Sequence, residues 1–343
     1  MSARASILPV FVPHLGCPHR CVFCDQRSIS GQKQAVTADT VRRAIEQAAA
    51  LPRNGAGRQL AFYGGSFTAV NPRLQEELLG AAKEALDRGE IDSIRLSTRP
   101  DAIDEESLAR LKRFGVGTVE LGAQSMDKEV LRLSERGHSA EDVARAAAMI
   151  HEAGFELVLQ MMTGLPGDSL ETCLATAKAL IALRPEAARI YPTVIVKGTK
   201  LHEMWLRGEY REHSVEEAVA WCARILPLFE RAGIPVIRLG LNPTEELSGG
   251  EAVAGAYHPA LGELVKSRIL LEVARACLAG VSADSDVTLG IGSRYLSQLV
   301  GQKECNREIL LREFSLRSLR ILPLQEDLPV PILVSENAQK MKK

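Results

Sequence analysis

Cys17, Cys21 and Cys24 stand within eight residues, in the run GCPHRCVFCDQ. Their spacing is Cys-x3-Cys-x2-Cys. Cysteine thiolates are the ordinary ligands of iron–sulfur clusters, normally four to a 4Fe–4S cluster. Three on one short loop leave a fourth iron without a protein ligand and open to a substrate. Such a shortage points to chemistry at the cluster rather than electron storage. A disulfide framework fits poorly, because seven cysteines is an odd number and residues 1–7 lack the apolar run of a secretory segment. Zinc is the other alternative. It takes four nitrogen or sulfur ligands in a closed site, and His14 or His19 could supply the fourth. No second cysteine pair follows, however. Cys173, Cys222, Cys277 and Cys305 are scattered singly, three of them in apolar helical patterns where a lone thiol is usually an inert hydrophobe.

Further candidate residues lie at the ends of apolar runs. Gly64, Gly65 and Ser66 close QLAFYGGS, where glycines let backbone groups approach a ligand. Gln124 ends VGTVELGAQ, Gln160 lies in FELVLQMM, and Arg99 and Arg136 follow shortly after other runs. Tyr63, Tyr191, Tyr257 and His258 occupy strand-end or turn positions. They could relay a proton, or simply pack with a hydrogen-bonded polar tip. His138 reads as a capping or packing residue.

These positions must be held by a scaffold. The 343 residues are 46% hydrophobic and 25% charged, with a net charge of −1. That is ordinary globular usage and gives no global support to nucleic-acid binding. No apolar run is long enough to span a membrane, and free thiolates suit a reducing, cytoplasmic setting. Apolar runs at 7–13, 59–65, 92–100, 116–125, 155–167 and 188–196 alternate with helical patterns at 37–51, 71–86, 104–114, 139–153, 168–183 and 215–232. Ser139 with Asp142 and Ser214 with Glu217 read as capping signals. Strand–helix alternation of this kind implies parallel crossovers and an α/β barrel or open sheet. The candidate residues fall at C-terminal strand ends, where barrels of this type place their chemistry.

After about residue 245 the pattern changes. Residues 248–259 are small and turn-rich, then a helix is expected over 260–279 and strands over 286–293, 318–324 and 330–335. The expected organisation is a core over 1–245, a small α+β domain over 246–338 and a frayed tail over 339–343. Lys303, Arg307, Arg312, Arg317 and Arg320 are offset by Glu304, Glu308 and Glu313, which reads as a solvated mixed-charge surface.

The cysteine spacing resembles that of the radical S-adenosylmethionine (SAM) enzymes. The runs STRPD (97–101), VELGAQS (119–125), SERGHSAEDV (134–143), AGFELVLQMMTGLP (153–166) and RIYPTVIVKGTKLHEMW (189–205) resemble the radical SAM core of the Elongator catalytic subunit. The resemblance implies a partial six-stranded (β/α) TIM-like barrel, a 4Fe–4S cluster on Cys17, Cys21 and Cys24, and reductive cleavage of SAM to a 5′-deoxyadenosyl radical. It implies cofactor contacts by Phe23, Gly64, Gly65, Ser66, Gln124, Arg136 and Gln160, with Arg136 suited to the methionine carboxylate. It also implies a reductant partner such as flavodoxin or ferredoxin, and tRNA as the substrate. Two departures separate the chain from that subunit. The gap between its first two cysteines is the common short one, and residues 260–343 are too few for an acetyltransferase domain. A small-molecule substrate, or a non-catalytic iron–sulfur or zinc module of a partner complex, are the alternatives.

Overall fold

A computed structural model describes residues 6–12, 17, 21–25, 35–49, 57–242 and 247–338. Residues 52–56 of the turn expected from PRNGAG (52–57), the tail from 339, and both His14 and His19 lie outside the described residues. The chain divides into two compact units. One comprises Met1–Ala218 with Ile225–Pro259, the other Val219–Arg224 with Ala260–Lys343.

The first unit is built on seven parallel strands in sequential order: β1 (Ser6–Val12), β2 (Arg58–Gly64), β3 (Ser93–Thr98), β4 (Val116–Gln124), β5 (Glu156–Thr163), β6 (Ala187–Pro192) and, after a short β7 (Val194–Val196), β8 (Val236–Leu239) at the far edge. Helices 38–49, 72–87, 105–113, 140–152, 170–182 and 215–231 make the crossovers. Side chains alternate along each strand. Leu60, Phe62, Ile94, Leu96, Val119, Leu121, Leu157 and Leu159 lie on one side and are at most 1% exposed. They face the helices, whose apolar stripes cover them. The helices begin where the sequence says they should. Ser139–Asp142 and Ser214–Glu217 are both reciprocal capping boxes.

The other side of the sheet carries polar residues, and it curls. The Arg189 side chain on β6 donates to the Tyr63 hydroxyl on β2 at 2.5 Å. Four strand spacings of a flat sheet would separate these strands by about 19 Å. The sheet is therefore an α/β half-barrel, and its polar face lines a lumen.

Three differences from the sequence reading have local causes. The run 188–196 is two strands, because the chain turns at Thr193, whose amide donates to the Thr163 carbonyl at 2.9 Å. β7 then leaves the main sheet and pairs antiparallel with β9 (Ala252–Gly255), within the stretch read as turn-rich. β8 is only four residues long, too short to show a period, and it makes the sheet seven-stranded.

The second unit is α+β. β10 (Ser285–Gly292) pairs in parallel with β11 (Ser318–Leu324) and antiparallel with β12 (Ile332–Ala338). Leu271, Leu278, Val287, Leu289, Ile291, Leu299, Leu310 and Leu319 form its own core beneath helices 261–278, 296–300 and 305–313. Arg307, Arg312 and Arg317 pair with Glu304, Glu308 and Asp286, so this surface is mixed in charge. Among the described residues no helix is long and apolar enough to cross a membrane.

Candidate active site

The loop after β1 carries Cys17, Cys21 and Cys24 to the C-terminal end of the sheet. Its central part is tied down on both sides. The Val22 amide donates to the Ser134 carbonyl at 3.2 Å, and the Val22 carbonyl accepts from the Leu201 amide at 2.7 Å. Val22 packs in a small core with Ile195, Leu201 and Tyr210, and Phe23 lies against it with Met204 and Trp205. A turn closed by the Cys24 amide on the Cys21 carbonyl, at 3.1 Å, sets the last two cysteines together. Cys21 is buried, whereas Cys17 and Cys24 are half-buried. Among the described residues no three ligating side chains are already gathered at metal-binding distance. The donor set itself fits an iron–sulfur cluster: three cysteines on a short loop, one of them beside a guanidinium.

That guanidinium is Arg136. It donates to the Cys21 sulfur at 3.3 Å and to the Gly122 carbonyl at 2.6 Å. Its Nε is buried without a protein partner, a donor still to be satisfied. Arg99 positions it, donating to the Arg136 carbonyl at 2.6 Å while its fork grips Asp101 at 2.9 and 3.1 Å. At Gly122 a Cβ would meet the side-chain tips of Gln124 (Nε2, 2.8 Å) and Arg136 (a terminal nitrogen, 2.9 Å), so one of the two would have to shift.

Gln124 sits at φ +66°, in the left-handed region, next to a register shift between β4 and β5. Bulges of this kind re-aim side chains, and the strain costs roughly 1–3 kcal/mol. The Gln124 side-chain oxygen accepts from Gln160 Nε2 at 3.0 Å, so β4 and β5 present one amide pair. On β2, Gly64 has φ +108° and its absent Cβ would lie 3.2 Å from the Val12 backbone. The Gly65 amide donates to the Val12 carbonyl at 2.8 Å. Ser66, by contrast, is fully buried. Its hydroxyl bonds Thr98 Oγ1 at 3.0 Å and accepts from the Arg99 amide at 3.3 Å, so it holds the β2 and β3 ends together.

His138 is buried with Nε2 3.1 Å from the Ala123 carbonyl, a packing position. Burial, then the positive charges of Arg136 and Arg99, push its pKa down to about 4. It is neutral at pH 7, and Nε2 carries the proton. Tyr257 packs against Val194 and Val196 away from these groups.

One layer further into the lumen lies a cluster that sequence reading missed. Glu120 of β4 accepts from Arg95 of β3 at 2.8 Å, Arg189 of β6 at 3.0 Å, Ser97 at 3.3 Å and Tyr63 at 3.3 Å. Arg189 also donates to Tyr191 at 3.0 Å. Burial and then the Glu120 charge push the Tyr63 pKa up to about 12, so the phenol stays protonated. The signal was present in VELGAQS. Glu120, Gly122 and Gln124 are spaced by two, and a strand puts such residues on one face.

Residues 11–180 match the model of the radical SAM superfamily, and residues 185–270 match that of its C-terminal domain. The chain belongs to the radical SAM superfamily and is a radical SAM enzyme. Within it, the chain is similar to the tRNA uridine(34) acetyltransferase of Methanocaldococcus infernus, 27% identical over 303 residues that span 76% of this chain and 55% of that protein. It is also similar to human Elongator complex protein 3, 33% identical over 138 residues, 39% of this chain and 25% of that one. The solved structure of Methanocaldococcus infernus Elp3 shares the fold at a TM-score of 0.64 and 23% identity, covering 86% of this chain and 68% of that chain. The chain thus spans about half the length of the first of these relatives. The family implies a 4Fe–4S cluster and SAM.

Proposed function

We propose that this protein binds a 4Fe–4S cluster through Cys17, Cys21 and Cys24, cleaves SAM reductively, and modifies a uridine-containing tRNA. The observation that carries the reading is the convergence at one strand-end surface of the cysteine loop, the Gly64–Gly65 turn, the Gln124–Gln160 pair and Arg136. Cys17, Cys21 and Cys24 would hold a 4Fe–4S cluster, which when bound would supply the electron for reductive cleavage of SAM and so for hydrogen-atom abstraction from the substrate.

The chain's own residues then have distinct tasks. Arg136 orients Cys21 through its hydrogen bond to the sulfur, and its buried Nε is left for an acceptor such as the SAM carboxylate. Gly64 and Gly65 admit the close approach of an amino group to backbone carbonyls. The Gln124–Gln160 amides offer both donors and acceptors to ribose hydroxyls. Phe23 seals the loop against the small core over the sheet. Ser66 supports this surface from behind. The electron comes from a small reductant such as flavodoxin or ferredoxin, in a reducing, cytoplasmic setting. tRNA is favoured over a small molecule by the similarity to the tRNA uridine(34) acetyltransferase of Methanocaldococcus infernus.

Anaerobic reconstitution with iron and sulfide, followed by reduction in excess SAM, tests the chemistry. 5′-Deoxyadenosine forms in the wild type and is lost in Cys21→Ala. Uptake of zinc in place of iron overturns the enzyme reading. Purified protein retards tRNA in a gel at low salt and releases it as salt rises. Absence of any shift at low salt removes tRNA and leaves a small-molecule substrate.

A further inference from the structure

The lumen cluster is unbalanced in charge. Register places Arg95, Glu120, Arg189 and Arg238 on the same inner face, with Arg189 directly opposite Arg238. Three arginines thus share a single carboxylate. Glu120 has only 3% of its side chain exposed, Arg95 12% and Arg189 11%. One Glu120 oxygen already accepts from Arg95, Arg189 and Tyr63, while Ser97 holds the other. Among the described residues the remaining hydrogen-bond partners of these arginines bring no second negative charge. Tyr63 and Tyr191 serve as hydroxyl acceptors for Arg189. Glu156, on the same face of β5, is exposed and engaged by Thr118 at 2.8 Å.

A closed structural network would pair each arginine with its own acid, since uncompensated buried charge is costly. Here Nε of both Arg95 and Arg189 is buried with no protein acceptor. Arg238 spends its own Nε on the Gly240 carbonyl, which fixes the guanidinium beside Arg189. The cluster also adjoins the cofactor layer. Tyr63 immediately precedes Gly64, and Gln160 is the register partner of Arg189. A group held by these arginines would therefore lie beside the amide pair in the lumen.

We propose that Arg95, Arg189 and Arg238 bind an anionic group of the substrate, a phosphodiester or a carboxylate, and so hold the reacting part of that substrate against the Gln124–Gln160 layer. The proposal rests on the lumen being the substrate chamber of the radical SAM reading. Glu120 is the resident anion that keeps the arginines splayed and ordered until the substrate arrives. These are positioning and binding residues, and the arrangement assigns them no proton or electron transfer.

The test uses the full chain without cluster or SAM, so its result is independent of SAM cleavage. Binding of dimethyl phosphate and of acetate is followed by saturation-transfer NMR at low ionic strength, with thermal unfolding as a check on each variant. At least one probe binds the wild type. Arg189→Met weakens it by roughly tenfold or more, as loss of a charge-assisted hydrogen-bond donor implies. Glu120→Gln strengthens it, because an isosteric amide keeps the packing and removes the competing charge. A merely structural network predicts no gain in Glu120→Gln. If Arg189→Met does not fold, Arg189→Lys, which keeps the charge and loses the fork, takes its place and still weakens binding. Preference for dimethyl phosphate assigns the group to a nucleic-acid backbone, and preference for acetate assigns it to a carboxylic acid. Failure of both probes to bind overturns the proposal, as does unchanged affinity in the folded arginine variant or weaker affinity in folded Glu120→Gln.

Discussion

Buried histidines give this protein a pH dependence that can be read from single residues. His213 is 4% exposed, with Nε2 3.2 Å from the Thr163 hydroxyl, and burial pushes its pKa down to about 4. His138 is held at about 4 in the same way. In the unfolded chain each returns to about 6.5. Below that value the unfolded state takes up protons that the folded state refuses, so stability is complete above pH 6.5 and falls as pH drops toward 4. The upper limit is on the order of 3 kcal/mol per histidine. Urea unfolding at pH 7.5 and at pH 5 should show this loss in the wild type. His213→Asn should start less stable but lose about half as much between the two pH values, because His138 still titrates. Equal losses in both proteins would show that His213 does not titrate in this range.

Strand ends rather than helices decide the shape of the candidate site, and Gly122 tests that. A methyl group at Gly122 fits only if the tip of Gln124 or of Arg136 moves aside. Gly122→Ala should displace the Arg136 guanidinium from Cys21 and cost about 1–3 kcal/mol by overpacking. Reconstituted protein should then show an altered cluster absorbance and weaker SAM binding, with the far-ultraviolet circular dichroism of the wild type. Unchanged SAM affinity would mean that the arginine is not held by this contact. At this scale much was legible in advance. The strands and crossover helices of the half-barrel announce themselves because parallel strands read as apolar runs, and Ser139 and Ser214 mark helix starts. The glycine pair and Gln124 fall at strand ends for the same reason, whereas Gln160 lies within β5. What was not legible depends on residues distant in sequence. Nothing local in the run 188–196 shows that its end pairs with β9 rather than with the main sheet. Nor does IRLST announce that Arg95 meets Glu120, since that contact exists only once β3 and β4 are paired and curled. Nor does the sequence show that the Ser66 hydroxyl bonds Thr98 on the next strand.

On the scale of the whole molecule, two cores imply two cooperative units. The second unit carries a continuous apolar interior around β10, with Leu289 fully buried among Leu271, Ile291 and Leu310. Its polar interior is satisfied separately. The Asn306 side-chain amide donates to the Ser267 hydroxyl at 2.9 Å and to the Leu299 carbonyl at 3.2 Å. The half-barrel draws its stability from a different set of side chains between sheet and helices. A cavity in one core should therefore spare the other, since distant sites without shared partners behave additively. Leu289→Ala should destabilise the second unit by about 2–5 kcal/mol. Hydrogen exchange followed by mass spectrometry would then show faster exchange in peptides covering β10, β11 and helix 261–278. Peptides covering β4 and β5 should keep their wild-type protection. Equal loss of protection in β4 and β5 would mean that the chain unfolds as one cooperative body, and the cysteine surface would then depend on the stability of the C-terminal unit.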